Sequence, residues 1–343
     1  MKAVGLTKYL PVEAENSLQD IEINEPVARG HDILVAVKAI SVNPVDTKVR
    51  SPNSKNQAKI ENPPRILGWD AAGVVKSVGD QVTEFKPGNE VYYAGDITRP
   101  GSNSELHLVD ARIVGHKPQN IDFATAAAMP LTSITAWEAL FERLDIKRND
   151  TDVGKTILII NGAGGVGSIA IQLAKKLAQL KVIATASRPE TIAWCQELGA
   201  DIVVNHRHNL AKEIAQVGYQ TVDYILCLND TDGHWQAITQ AIKPQGKICT
   251  IVGNKQPLAM DTLKQKSVGL FWEFMFTRSM YQTDDMAQQG KLLNQVSQLI
   301  TSGIIKSTCK EIVRPINARN LRLVHQKIEA GQSIGKIVLS DWN

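Results

Sequence analysis

Hydrophobic and polar positions alternate in the first third of the chain, in short runs that end at turn-forming residues. The run Asp32–Ile40 is rich in β-branched residues, and the runs Ala71–Val78 and Glu90–Ala94 follow it. Glycine and proline punctuate these runs, as at Gly79 and at Pro87. Short strands separated by such turns are typical of a compact β-rich domain, so we predict one here.

The pattern changes near residue 121. The segment 122–140 is rich in alanine and leucine, which predicts two helical pieces broken at Pro130. Farther on, predicted strands and helices alternate: strands at Thr156–Asn161, Lys181–Thr185, Ile202–Asn205, Val222–Leu226 and Lys247–Val252, and helices at Val166–Ala178 and Pro189–Leu198. This alternation predicts a parallel sheet covered by helices on both faces, the doubly wound α/β fold class.

Beyond about Tyr281 the pattern predicts helices at Met286–Ser302 and Ala318–Glu329, and strands at Cys309–Val313 and Lys336–Leu339. We therefore divide the chain into residues 1–125, 126–280 and 281–343. The middle part is the predicted cofactor-binding domain, and the two outer parts form the other domain together.

A glycine-rich turn separates the first predicted strand of the middle part from its first helix. It contains the G-x-G-x-x-G pattern as Gly162, Gly164 and Gly167, with Gly165 and Val166 between the last two. Such a pattern is weak alone, but here an apolar strand precedes it and an apolar-periodic helix follows. The turn and the helix N-terminus then present backbone N–H groups to a pyrophosphate, which predicts a Rossmann dinucleotide site.

The end of the second predicted strand indicates which dinucleotide binds. An NAD-specific site places a carboxylate there to accept a hydrogen bond from the ribose 2′-OH. This chain has Ser187 and Arg188 instead, and no carboxylate before Glu190. A guanidinium can form a bidentate, charge-assisted contact with a 2′-phosphate, so we predict NADPH as the cofactor. The alternative for Arg188 is an ordinary solvated surface charge.

Composition narrows the classes of partner. The 343 residues carry a net charge of only +3 and no basic-aromatic patch, which argues against a nucleic-acid partner. No apolar run is long enough to span a membrane, and the N-terminus lacks the pattern of a secretory signal, so cytoplasm is the predicted location. The four cysteines are scattered, which fits a reducing compartment.

Several motifs together make the chain resemble the medium-chain dehydrogenase/reductase superfamily over essentially its whole length, and the zinc-free quinone oxidoreductase-like branch most. Besides the glycine turn, the motifs are Val42-Asn43-Pro44-Val45-Asp46, Gly68-Trp69-Asp70-Ala71-Ala72-Gly73, Pro130-Leu131-Thr132, Thr135-Ala136-Trp137, Leu198-Gly199-Ala200-Asp201 and Gly335-Lys336-Ile337-Val338-Leu339. The resemblance implies a GroES-like catalytic domain beside the Rossmann domain, and a homo-oligomer formed through the cofactor-domain sheet.

The resemblance also implies where a catalytic zinc would bind in zinc-dependent members. They use a cysteine in the segment matching residues 42–46, and a histidine–glutamate pair at the positions of Trp69 and Asp70. Here asparagine or proline stands at the cysteine position, and indole has no lone pair to offer a metal. A catalytic zinc needs about three protein ligands, so we predict no metal.

A site without a metal favours some reactions over others. Reducing a plain ketone normally requires a Lewis acid or a positioned proton donor. A quinone or an α,β-unsaturated carbonyl accepts hydride more easily, because the negative charge spreads into an enolate or hydroquinone anion. We therefore predict NADPH-dependent reduction of quinones or enones. The alternatives are a zinc-independent alcohol or aldehyde oxidoreductase and a non-catalytic NADPH-binding regulator.

Three residues are candidates for the substrate side of the site. Asn43 can donate to the developing oxyanion, or be a turn former before Pro44. Asp46 can orient the nicotinamide ribose or a water, or serve only in helix capping. Trp69 can wall an aromatic slot, or simply fill the core. We expect loops at Ser51–Pro64 and Phe271–Tyr281 to shape the substrate pocket.

Further candidates for cofactor contact come from strand ends and from the resemblance. They are Thr132 and Thr135 in the helix after Pro130, Asn205, Leu228 and Asn229 after two strands, and Val252 and Gly253 after a third. For the two threonines, the alternative is simple helix capping.

Overall fold

The computed structural model describes residues 1–342. The chain divides into two compact units: the outer unit, Met1–Leu131 with Phe276–Asn343, and the central unit, Thr132–Met275. The predicted boundaries after residues 125 and 280 fall a few residues from these limits.

The strands, in chain order, are β1 (Lys2–Lys8), β2 (Gln19–Glu22), β3 (Asp32–Ser41), β4 (Ile60–Ile66), β5 (Ala71–Val78), β6 (Glu90–Tyr93), β7 (Leu106–Asp110), β8 (Val114–His116), β9 (Thr156–Ile160), β10 (Lys181–Thr185), β11 (Ile202–Val204), β12 (Val222–Cys227), β13 (Ile242–Thr250), β14 (Gly269–Trp272), β15 (Cys309–Val313) and β16 (Lys336–Ser340). The α-helices are α1 (Pro44–Arg50), α2 (Phe123–Ala127), α3 (Pro130–Trp137), α4 (Gly165–Lys176), α5 (Pro189–Glu197), α6 (Leu210–Gln216), α7 (Thr231–Ala241), α8 (Thr277–Tyr281), α9 (Gln288–Thr301) and α10 (Ala318–Glu329). Short 3-10 turns and a π-helical turn at Glu138–Arg143 complete the regular structure.

The central unit contains one six-stranded parallel sheet in the order β11-β10-β9-β12-β13-β14. Numbered within the sheet, this is the order 3-2-1-4-5-6 of a doubly wound dinucleotide-binding fold. Every residue of β9 is buried, because helices cover both faces of a central parallel strand. Side chains such as Leu158, Ile183, Ile225 and Ile248 form part of its core, and each contributes about 1.5–3 kcal/mol on burial.

The outer unit contains two sheets. The larger runs β15-β16-β3-β5-β6-β8, with β7 also paired to β3, and the smaller runs β2-β1-β4. β16 pairs antiparallel with β3, with Val338 opposite Ser41. Since Lys336 lies two residues before Val338 and Asn43 two residues after Ser41, this register brings Lys336 to Asn43.

These two units confirm the predicted fold class, a doubly wound α/β sheet with a β-rich second domain. The expectation of a loop throughout Ser51–Pro64 was wrong at its end, because β4 begins at Ile60 and pairs with β1. β4 contains two prolines, which an edge strand tolerates although they lack an N–H. Likewise, α8 occupies the end of the second segment expected to be a loop, Phe271–Tyr281.

Candidate functional site

The glycine turn after β9 brings helix α4 close to the sheet. A Cβ added at Gly167 would lie 2.4 Å from the carbonyl oxygen of Asn161, and one added at Gly162 would lie 2.8 Å from the Cβ of Ala184. Neither position has room for a side chain. Asn161 itself adopts a φ of 68°, which reverses the chain between the strand and the turn.

The N-terminus of α4 lacks a capping side chain. Gly164 is the N-cap residue and makes no side-chain hydrogen bond to the helix, so the N–H groups of Gly165, Val166 and Gly167 have no side-chain acceptor. A pyrophosphate fits this arrangement, because the helix dipole and these donors stabilise negative charge. The predicted glycine-turn residues therefore lie together at one helix N-terminus.

Ser187 and Arg188 lie just past the end of β10, at the same edge of the sheet. The Arg188 guanidinium donates through Nε to Glu190 Oε1 at 3.0 Å, and the two side chains are 31% and 56% exposed. An ion pair this exposed contributes about 0–1 kcal/mol, whereas a charge-assisted bond to phosphate contributes about 1.5–3 kcal/mol. A 2′-phosphate can therefore displace Glu190, and these residues fit NADP(H).

The other predicted cofactor residues of the central unit also follow strand ends of this sheet. Asn205 follows β11, Leu228 and Asn229 follow β12, and Val252 and Gly253 lie just beyond β13. The Val252 carbonyl accepts a hydrogen bond from the hydroxyl of Thr231 at 3.3 Å. Thr132 and Thr135 are buried in α3, at 2% and 5% exposure. The carboxyl ends of parallel strands are where ligands bind in open α/β sheets.

A buried polar cluster in the outer unit joins Asn43, Asp46, Asp70 and Lys336, each at most 4% exposed. The Asn43 Nδ2 donates to Asp70 Oδ2 at 2.8 Å. The Lys336 ammonium donates to Asp70 Oδ2 at 3.1 Å, to the Val42 carbonyl at 3.0 Å, and to Asn43 Oδ1. We call these four residues the Lys336 cluster.

Both carboxyls of the cluster are held by backbone donors. Asp70 Oδ1 accepts from the N–H of Leu131 at 2.8 Å, and Asp46 Oδ2 accepts from the N–H of Asn43 at 2.7 Å. Burial raises the pKa of Asp46 to about 7, although the Asn43 N–H and the charge of Lys336 lower it. Burial also raises the pKa of Asp70, against the opposing charge of Lys336. The second oxygen of Asp46 is buried without a hydrogen-bond partner.

Trp69 is 1% exposed and its indole N–H donates to the carbonyl of Asp96 at 3.2 Å. Its ring meets Phe276 edge-on, with the centroids 6.1 Å apart. The indole is therefore fixed in orientation. This agrees both with a wall of an aromatic slot and with a side chain that simply fills the core.

A catalytic zinc does not fit the residues at the positions that zinc-dependent relatives use. The oxygens of Asn43, Asp70 and Val42 already accept hydrogen bonds from the ammonium of Lys336. Across residues 1–342, no group of three or more histidine, cysteine, aspartate or glutamate side chains is arranged to hold a metal ion.

Asp70 and Lys336 were not predicted from the sequence to be functional residues. Lys336 appeared there only as part of a motif, and Asp70 appeared also as the position of the glutamate in zinc-dependent members. A signal was present, because each is a charged residue beside an apolar strand, and such residues are seldom buried unless they are paired.

In the part of the chain described, no helix is long and apolar enough to cross a membrane.

Comparison with known proteins gives the family. Residues 29–119 match the alcohol dehydrogenase GroES-like domain, and residues 165–294 match the zinc-binding dehydrogenase family. A zinc-type alcohol dehydrogenase-like protein of Staphylococcus aureus is 42% identical over 99% of this chain and all of its own length. The NADPH-dependent alkenal/one oxidoreductase of Arabidopsis thaliana chloroplasts is 33% identical over 75% of this chain and 64% of its own length.

A solved structure agrees with this assignment. The crystal structure of a proposed zinc-dependent alcohol dehydrogenase from Rhizobium etli CFN 42 is 48% identical, with a TM-score of 0.95 over all of this chain and 98% of its own. The chain therefore belongs to the medium-chain dehydrogenase/reductase superfamily of nicotinamide-dependent oxidoreductases.

Proposed function

We propose that this protein uses NADPH to reduce quinones or α,β-unsaturated carbonyls, with no metal in the reaction. The observation that carries the proposal is the Lys336 cluster. At the positions where zinc-dependent relatives hold their metal, this chain has Asn43 and Trp69, whose polar atoms are bonded to protein groups. Asn43 and Trp69 can offer an acceptor only neutral donors, which suits an acceptor that spreads its own negative charge.

The proposed role of Asn43 is to donate to the oxygen of the acceptor. One N–H of its carboxamide is engaged by Asp70 at 2.8 Å. The other has the Ser41 carbonyl at 3.5 Å, longer than the usual 2.7–3.2 Å, so this N–H has a weak protein partner. When bound, NADPH supplies a hydride to the conjugated carbon, the electron pair moves to the oxygen, and a proton from water completes the two-electron reduction.

The other candidates have supporting roles in this proposal. Trp69 is the wall against which a flat acceptor packs. Asp46, with its pKa raised to about 7, orients a water or the nicotinamide ribose, and Thr132 and Thr135 contact the nicotinamide. Arg188 and Ser187 bind the 2′-phosphate that distinguishes NADPH from NADH. The name of the 33% identical Arabidopsis relative, an NADPH-dependent alkenal/one oxidoreductase, supports both the cofactor and the substrate class.

We also propose that the protein is a homo-oligomer of cytoplasmic location. β14 is an edge strand of the central sheet, and Trp272 in it and Phe274 after it are 51% and 45% exposed. Exposed aromatic residues at a sheet edge favour pairing with another copy. Sedimentation of the purified protein measures the assembly, and a monomer at micromolar concentration would exclude it.

A steady-state screen tests the proposed reaction. Purified protein is assayed with NADPH and with NADH against quinones and enones, and against simple alcohols and aldehydes. We expect turnover with NADPH and conjugated acceptors. Turnover with simple alcohols or aldehydes instead indicates the zinc-independent alcohol oxidoreductase alternative. Tight NADPH binding with no acceptor reduced indicates a non-catalytic binding protein.

A further inference from the structure

We infer that Lys336 is a positioning residue, which together with Asp70 orients the Asn43 carboxamide and polarises it as a donor to the acceptor oxygen. This inference rests on the proposed function, in which Asn43 is that donor. It assigns a role to two buried charges that the sequence analysis left without one.

The hydrogen bonds of Lys336 decide how it acts. An ammonium has three N–H donors, and Val42, Asn43 and Asp70 accept all three. Lys336 is 4% exposed, so its charge is held in a medium of low dielectric constant. With no donor left over, it cannot itself protonate or bind an acceptor, and its influence passes through Asn43.

The two charges fix which way the carboxamide points. The Asn43 oxygen faces the ammonium and the nitrogen faces the Asp70 carboxylate. Rotating the amide by half a turn would set its N–H groups against the ammonium and its oxygen against the carboxylate. Leaving buried polar groups without partners in this way is unfavourable, and more so for charged groups. The pair therefore holds one rotamer.

The same pair strengthens the remaining N–H as a donor. A cation at the amide oxygen draws electron density from the nitrogen, and hydrogen bonds in a chain polarise one another. The N–H that faces Ser41 at 3.5 Å is the one with the weakest protein partner. Because Asp70 balances the charge of Lys336, the site gains a polarised donor without a net charge that would attract anions.

A purely structural role is the competing explanation, because Lys336 in β16 is also hydrogen-bonded to Val42, just after β3, and to Asp70, just before β5. Substitutions can separate the two. Lys336→Met with Asp70→Asn replaces both charges by neutral side chains, and Asn at position 70 can still accept from Asn43. Lys117 provides a matched control: it is another buried lysine of the outer unit, bonded to the carbonyls of Pro118 and Ile121 at 2.9 and 2.6 Å.

Single-turnover oxidation of bound NADPH by the best acceptor from the screen measures hydride transfer. We expect the Lys336→Met/Asp70→Asn variant to be about 10- to 100-fold slower, as for other residues that orient a catalytic group, with its NADPH dissociation constant unchanged. Lys336→Arg keeps the charge and should recover most of the rate. Lys117→Met should lose stability but keep the wild-type rate.

A mutant cycle with Asn43→Ala tests whether Lys336 acts through Asn43. Once Asn43 is gone, replacing the charged pair should slow hydride transfer no further. Additive effects, a wild-type rate in the neutral double variant, or a Lys336→Arg variant as slow as that double variant would each overturn the inference.

A readout that needs no turnover separates this inference from the proposed function. In protein with isotope-labelled asparagine, the Asn43 side-chain amide signal is the one that Asn43→Ala removes. We expect that signal to move when Lys336 and Asp70 are neutralised, and to stay in place in Lys117→Met. An unmoved signal would refute the polarisation, even in an active enzyme. A moved signal in a protein that reduces no acceptor would support it while the proposed function fails.

Discussion

The glycine turn after β9 presents backbone N–H groups from one short segment, whereas the Lys336 cluster joins side chains from three segments far apart in the chain. The turn needs glycine because there is no space for a Cβ, and the pyrophosphate site proposed there uses no charged side chain. The cluster needs charges of both signs and full burial. The glycine turn should therefore tolerate substitutions of neighbouring side chains. The Lys336 cluster depends on every one of its buried polar groups having a partner.

Breaking one pair of the cluster should have the largest effect on stability. Lys336→Met leaves the buried carboxylate of Asp70 without its cation, and removing one partner of a buried ion pair costs about 3–5 kcal/mol. Urea unfolding measures this loss. Adding Asp70→Asn removes the uncompensated charge, so the double variant should recover much of the stability. Equal losses in the single and double variants would show that the charges are not paired.

In the central unit, Arg188→Ala tests the charged side chain that is proposed to bind the 2′-phosphate. We expect NADPH binding to weaken by about 10- to 100-fold, the equivalent of one charge-assisted hydrogen-bonded contact. NADH binding should stay within about twofold, because NADH has no 2′-phosphate. Fluorescence titration gives both dissociation constants.

Glu190→Gln is the matched control for Arg188→Ala, because it removes the carboxylate that pairs with Arg188 and keeps the guanidinium. It removes the ion pair between the guanidinium and an exposed carboxylate, so NADPH binding should tighten by no more than a few-fold, since such pairs contribute about 0–1 kcal/mol. If Arg188→Ala weakens NADH and NADPH equally, Arg188 does not contact the 2′-phosphate.

His325, in the outer unit, is a buried histidine without hydrogen-bond partners, and it should make stability depend on pH. Both of its ring nitrogens are buried without a hydrogen bond, and burial, with a smaller contribution from the charge of Arg50, lowers its pKa to about 3. Below about pH 6.5, His325 therefore becomes protonated in the unfolded chain but stays neutral in the folded protein. Because of this group, the free energy of unfolding should fall by about 1.4 kcal/mol for each pH unit between about pH 6.5 and about pH 3.

Comparing wild type with His325→Leu isolates this effect. At neutral pH the variant should be at least as stable, because it removes two unsatisfied polar atoms. The two stabilities should then separate as pH falls, with the wild type losing more. Parallel stability curves would mean that His325 is protonated in the folded protein.

The sequence predicted the turn well and the cluster poorly, for physical reasons. The strand, turn and helix around Gly162 are local, so their periodicity predicted β9 and α4 to within two residues at each end. Asn43 and Lys336 are brought together only by the antiparallel register of β3 and β16, which no local pattern specifies. For the same reason the pairing of β4 with β1 was not predicted.

Transfer of deuterium from labelled NADPH to an enone tests the central claim most directly. Protein treated with a chelator is given NADPH that carries deuterium at its transferable position. The account predicts full activity, with deuterium on the conjugated carbon of a saturated carbonyl product and a solvent proton on its neighbour. Deuterium on the carbonyl carbon of an alcohol product, or activity that disappears on chelation and returns with zinc, would contradict it.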